Sequence, residues 1–137
     1  MKGWKKLWSE QFLSPVENMS LEFSPDARHL VVASADSPTV ILDLDSPASA
    51  PLRLPLTPGD WPMAYSPDGK RLAVGVTDGV SLLDVQSGEE LLKLPLRKAR
   101  ALAFTPDGKH LTVLDAKRAT TLHAPPAKDM DFDWLNP

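Results

Sequence analysis

The stretch Tyr65–Leu96, "YSPDGKRLAVGVTDGVSLLDVQSGEELLKLPL", occurs again in looser form on both sides of itself. Phe23–Pro47 reads "FSPDARHLVVASADSPTVILDLDSP" and Phe104–Pro126 reads "FTPDGKHLTVLDAKRATTLHAPP". Aligning Ser24, Ser66 and Thr105 sets the copies 42 and 39 residues apart, a period of propeller-blade size. Ahead of each turn an alternating segment, "SLEF", "PMAY" or "ALAF", puts Leu21 with Phe23, Met63 with Tyr65, and Leu102 with Phe104 on one face of a strand. These six are the expected core contacts. The turn that follows has Pro where φ near −65° is wanted, then Asp, then Gly where a left-handed residue closes the hairpin. In the first copy Ala27 stands in place of that Gly, which costs about 1 kcal/mol and marks the first hairpin as the one expected to deviate.

Working outward, "HLVVAS", "RLAVGV" and "HLTVLD" are β-branched and apolar enough for inner strands, and "TVILDLD", "VSLLDV" and "ATTLHA" supply the next strand of each unit. "APLRLPL" and "EELLKLPL" alternate apolar with polar residues and supply a fourth, outer strand. Four short antiparallel strands in about 40 residues make a propeller blade.

The whole chain has 137 residues, the size of one ordinary domain, and its net charge of −3 comes from 15 basic and 18 acidic residues. That balance offers no general attraction for nucleic acid or for an anionic membrane. With no cysteine, disulfides, thiolate metal sites and thiol nucleophiles are excluded, while the compartment stays open. The basic N-terminus "MKGWKKLWSEQF" is followed by no apolar signal core and no run spans a bilayer, so a soluble, cytoplasmic protein is expected.

The run "LAFTPDGKHL", the central "SPDGKRLAVGVTDGVSLLDVQSGEEL" and the flanking copies resemble the WD40-type β-propeller repeat over about residues 16–126. Three departures accompany the match. The signature Trp-Asp pair is Leu42-Asp43, Leu83-Asp84 and Leu122-His123 here, and the Gly-His pair ahead of each first strand is missing. The buried His, Ser/Thr and Asp network that locks a regular WD40 blade therefore cannot form in full. The resemblance implies an all-β fold, a partial propeller of about three four-stranded antiparallel blades at about 16–57, 58–96 and 97–126. These lie between an N-terminal amphipathic segment, 1–15, and an acidic-aromatic tail, 127–137.

Closed propellers hold four to eight blades, so three would leave apolar end faces in water. Such ends call for a cover: a second copy, giving a dimer of six blades, a different protein partner, or further blades of a longer natural chain. The unrepeated ends carry the candidate contacts. Trp4, Leu7, Trp8 and Phe12 fall at helical spacing, and Met130, Phe132 and Trp134 alternate with Asp129, Asp131 and Asp133. Each end reads either as a cap or outer strand of its own blade or as a docking segment for a partner; a membrane-surface contact is a further reading of the first.

Catalytic chemistry finds no constellation. His29 and His110 share one repeat position with Arg71 and read as exposed turn residues, His123 stands where Asp43 and Asp84 do, and Asp26, Asp68 and Asp107 belong to the hairpin turns. Asp129, Asp131 and Asp133 lack the Gly and closing Glu of a calcium loop, and no Ser-His-Asp, phosphate-loop or zinc spacing occurs. The expected protein is therefore not an enzyme and carries no cofactor. It is a scaffold or accessory subunit binding other proteins, or alternatively a small-ligand module using the centre of an assembled ring.

Overall fold

The structure is a computed structural model and describes residues 3, 6, 9, 19–34, 37–56 and 61–123. Among the described residues, eleven strands build three antiparallel sheets and no helix occurs. Blade 1 contains β1 (Met19–Phe23), β2 (His29–Ser34), β3 (Ser37–Asp43) and the two-residue β4 (Leu52–Arg53), hydrogen-bonded in that order. Blade 2 repeats the meander with β5 (Met63–Tyr65), β6 (Arg71–Val76), β7 (Gly79–Asp84) and β8 (Glu90–Leu94). Blade 3 shows β9 (Ala101–Phe104), β10 (His110–Leu114) and β11 (Ala119–His123), three strands among the described residues.

The three turns have one geometry, down to the side chains. The hydroxyls of Ser24, Ser66 and Thr105 each donate to the aspartate two residues on, Asp26, Asp68 or Asp107, at 2.6 Å. The same carboxylates accept the backbone N–H of Arg28, Lys70 and Lys109 at 2.9–3.0 Å. Each hydroxyl in turn accepts the N–H of the first residue of the following strand, His29, Arg71 or His110. Ala27 adopts φ +60°, beside +73° at Gly69 and Gly108, so the first hairpin does not deviate as expected. Its Asp and Ser bonds hold the left-handed residue in place against the steric cost of a Cβ.

Register fixes which side of each sheet every residue takes, because residues directly opposite in an antiparallel pair share a face. Tyr65 pairs with Leu72 and Met63 with Val74. Leu72, Val74 and Leu83 of blade 2 cluster with Val31, Ile41 and Leu54 of blade 1 and with Tyr65, filling the space between the two sheets. On the other side of blade 2, Ala73, Val80, Leu82 and Leu94 meet Leu111 and Val113 of blade 3, with Leu102 and Phe104 against them. Blade 2 is thus covered on both faces, and every residue of β6 is buried. Gly75 shows how closely it is covered: a Cβ there would lie 2.9 Å from both Ala99 Cβ and Pro62 Cγ.

Two expectations are corrected. Leu21 and Phe23, expected in the core, are each 58% exposed, although their strand phase is as read. Leu21 pairs with Val32 and Phe23 with Leu30, on the side of blade 1 opposite to Val31, so they face away from blade 2. Arg71, His29 and His110 are not exposed turn residues either. Each is the first residue of a strand; the histidines are half-buried, and Arg71 is only 4% exposed with its guanidinium 5.9 Å from the centre of the Phe104 ring. Among the described residues, the buried hydroxyls of Ser34 and Thr39 have no hydrogen-bond partner.

Candidate interaction face

The exposed side of β1 is the strongest candidate. Met19, Leu21 and Phe23 alternate with Ser20 and Glu22, which pack toward blade 2, so one short strand presents three large apolar side chains in a row. Their repeat equivalents show what such a row does when a sheet lies in front of it. Tyr65, at the position of Phe23, is 7% exposed behind Val31 and Ile41, and Phe104 packs against the blade 2 cluster. The rest of the blade 1 face is also apolar. Leu30 pairs with Leu42 and Val32 with Val40; Val32 and Leu42 are buried, so the exposed large apolar side chains of this face are those of β1.

Electrostatics keep this strip neutral. Glu22 points to the other side, where burial raises its carboxyl above the ordinary range. Burial likewise pushes the Tyr65 phenol well up, with the charges of Glu22 and Asp26 acting in the same direction, and its hydroxyl has no hydrogen-bond partner among the described residues. The turn aspartates run the other way. The Ser24 hydroxyl, then the Arg28 N–H, hold Asp26 below the usual range, and Thr105 with Lys109 N–H do so for Asp107. At Asp68 burial raises the pKa, but the Ser66 hydroxyl, the Lys70 N–H and the nearby Arg71 charge outweigh it, and the net direction is down.

A concavity of about 650 Å³ opens at the turn rim between blades 1 and 2 and is lined among others by His29, Asp43, Lys70, Arg71 and Asp84. Its two carboxylates are occupied in the backbone: Asp43 accepts the N–H groups of Asp45 and Ser46, and Asp84 those of Gln86 and Ser87. His123 occupies the corresponding place in blade 3, opposite His110, with ring centres 5.4 Å apart, as the repeat alignment implied. Among the described residues no group of three His, Asp or Glu is placed to hold a metal ion, and no helix is long and apolar enough to cross a membrane.

The contact residues expected from sequence, Trp4, Leu7, Trp8, Phe12, Met130, Phe132 and Trp134, lie outside the described residues. The strip on β1 was within reach of the repeat alignment, which equates Phe23 with Tyr65 and Phe104; what the alignment lacked was that no described sheet precedes blade 1.

Comparison with solved structures agrees with this architecture. The chain is similar to the β-propeller domain of Cps50 (Swd1) from Myceliophteria thermophila, with TM-score 0.63 and 17% identity, covering 82% of this chain and 40% of that one. It is similar to the RRP9 WD40 repeats, TM-score 0.65 and 19% identity over 84% of this chain and 37% of the other. The fold is that of a partial WD40-type propeller. A third similar structure is the hydrazine synthase of Kuenenia stuttgartiensis, TM-score 0.64 and 19% identity over 76% of this chain and 32% of that one. The chain thus spans about a third to two-fifths of the length of these structures. No family model matches it.

Proposed function

We propose that this protein is a non-catalytic, cytoplasmic interaction module whose open blade 1 face is covered by another polypeptide. The observation that supports this reading is the contrast within one repeat position: Phe23 is 58% exposed where Tyr65 is 7% exposed. An exposed row of Met, Leu and Phe on a sheet face is the kind of apolar patch that marks an interaction surface. The likeness to WD40 propellers fits a scaffold role, and no acid–base or nucleophilic constellation in the sequence argues for chemistry at the turn rim.

The test is a charge placed in the strip. Leu21→Arg with Phe23→Arg adds two cations to side chains that are already mostly in water, so folding, followed by circular dichroism, is expected to persist. The native mass of the assembly recovered from the host is expected to fall to that of the single chain, 15.0 kDa. An unchanged assembly mass for the double variant would overturn the proposal.

A further inference from the structure

Blades 1 and 3 each carry an exposed strip among the described residues, and the two strips are chemically unlike. On blade 3 the side turned away from blade 2 is set by Thr112 and Leu114, which alternate with the packed Leu111 and Val113. Register adds Thr121 opposite Thr112 and Ala119 opposite Leu114, with Ala103 and Ala101 beside them on β9. The two threonine hydroxyls are bonded to each other at 2.9 Å on an exposed surface. Blade 2, at the same positions, turns Ala73, Val80 and Leu82 toward blade 3. Leu82 is thus Thr121 in the last blade, Ala73 is Thr112 and Val80 is Ala119.

Shape differs as well as polarity. Leu114 occupies the position of Gly75, where a Cβ would lie 2.9 Å from Ala99 ahead of blade 3 and 2.9 Å from Pro62 of blade 2 itself, and it stands 45% exposed. A blade laid on blade 3 as blade 3 lies on blade 2 would meet an isobutyl group where the repeat contact has none. It would also bury two hydroxyls whose exposed surface now faces water, and burying polar groups in an apolar contact is unfavourable.

We infer that the blade 1 strip does not take the blade 3 end of a second copy, and that its occupant is a different polypeptide presenting an aliphatic β-sheet face. The two internal contacts define that chemistry, because in both of them the aromatic at the Phe23 position packs against a sheet bearing Val, Ile, Ala and Leu. This rests on the reading of the strip as a docking face and adds what docks there. A head-to-tail contact between identical chains is heterologous and would run on into a ring or an open string; the blade 3 face blocks both.

The experiment uses the full purified chain in light scattering over a wide concentration range. Wild type is expected to stay at 15.0 kDa throughout. Giving blade 3 the blade 2 surface, with Thr112→Ala, Thr121→Leu and Leu114→Gly together, is expected to produce a concentration-dependent rise to about twice that mass or more, which Phe23→Arg in the same background removes. Should the glycine impair folding, the Thr112→Ala, Thr121→Leu pair with Leu114→Ala serves instead, since it removes the isobutyl group and Ala101 stands where blade 2 has the crowding Pro62. Wild-type association that Phe23→Arg abolishes would overturn the inference while leaving the docking face in place. A folded surface-swapped variant that stays at the single-chain mass at every concentration would overturn it too. Failure of the docking face itself would show separately, as an assembly indifferent to charge at Leu21 and Phe23.

Discussion

Truncating the three repeat-equivalent aromatics one at a time measures directly how much of each blade contact exists in the isolated chain. Tyr65 is 7% exposed and enclosed by Val31, Ile41, Leu72 and Val74, so Tyr65→Ala removes the transfer energy of a whole aromatic and leaves a cavity, at about 3–5 kcal/mol. Phe23 is 58% exposed, so only about two-fifths of its surface has left the water; full burial of such a side chain is worth about 1.5–3 kcal/mol, which scales to about 1 kcal/mol for Phe23→Ala. No cavity term is added, because solvent already reaches the ring. Phe104 is half-buried, with Arg71 over its ring, and falls between the two. Urea unfolding of the purified chain, read as a shift in midpoint at constant slope, separates these values. Since small domains hold roughly 5–15 kcal/mol in all, Tyr65→Ala takes a large share of the total. Equal losses at Phe23 and Tyr65 would refute the reasoning, because they would mean that the first strand is covered as the fifth is.

Tyr65→Phe deletes a buried hydroxyl without a partner and installs the residue of the other two repeats; it is expected to be neutral or to stabilise by about 1 kcal/mol in the same urea assay, and a loss of 1 kcal/mol or more would mean that the hydroxyl is satisfied. Ala27→Gly relieves a left-handed residue at φ +60°, a gain of about 1–2 kcal/mol set against the extra unfolded-state freedom of glycine, about 0.4–1 kcal/mol, so the midpoint should rise slightly. Asp26, Asp68 and Asp107 all have lowered pKa values when folded, so their contribution is fully present above the unfolded value near 4 and is lost as pH falls through the lower folded values. Wild type should therefore lose stability steeply below about pH 4, and the triple Asp→Asn variant should start less stable at neutral pH but show a flatter acid limb; parallel limbs would mean that these turns do not carry the acid sensitivity.

The strand phase was legible because period-two alternation is a local property of the chain. Leu21 with Phe23, Met63 with Tyr65 and Leu102 with Phe104 do lie on corresponding faces of three corresponding strands. Turn geometry was legible for the same reason, and Ala27 shows that the Ser-Pro-Asp frame decides it more firmly than the glycine does. Burial was not legible, because it belongs to the neighbour rather than to the residue. Arg71 aligns with His29 and His110, yet it is the one most deeply buried, since the stack sets a sheet on either side of blade 2 and Phe104 reaches its guanidinium. Leu21 and Phe23 fail in the opposite sense: the right face was assigned, with no described sheet to meet it.

The same dependence on neighbours accounts for how the faces of the two end blades differ. A blade face that meets another sheet is held to small or branched aliphatic residues, as Ala73, Gly75, Val80 and Leu82 are, because both volume and polarity are constrained there. Blade 3 has threonine, alanine and leucine at those positions, and the pair Thr112–Thr121 satisfies its own hydroxyls in water. This face exposes one large apolar side chain, Leu114, against the three of β1, so it has less apolar area to cover. Blade 1 retains the aromatic and aliphatic residues of a contact strand at the opposite end, where exposure of Leu21 and Phe23 leaves the apolar area of two large side chains hydrated. An end that tolerates solvent and an end that does not are what a directional module requires, since a stack with two apolar ends would add further copies at both, whereas on the proposed reading this chain takes a partner at blade 1 and none at its described blade 3 face.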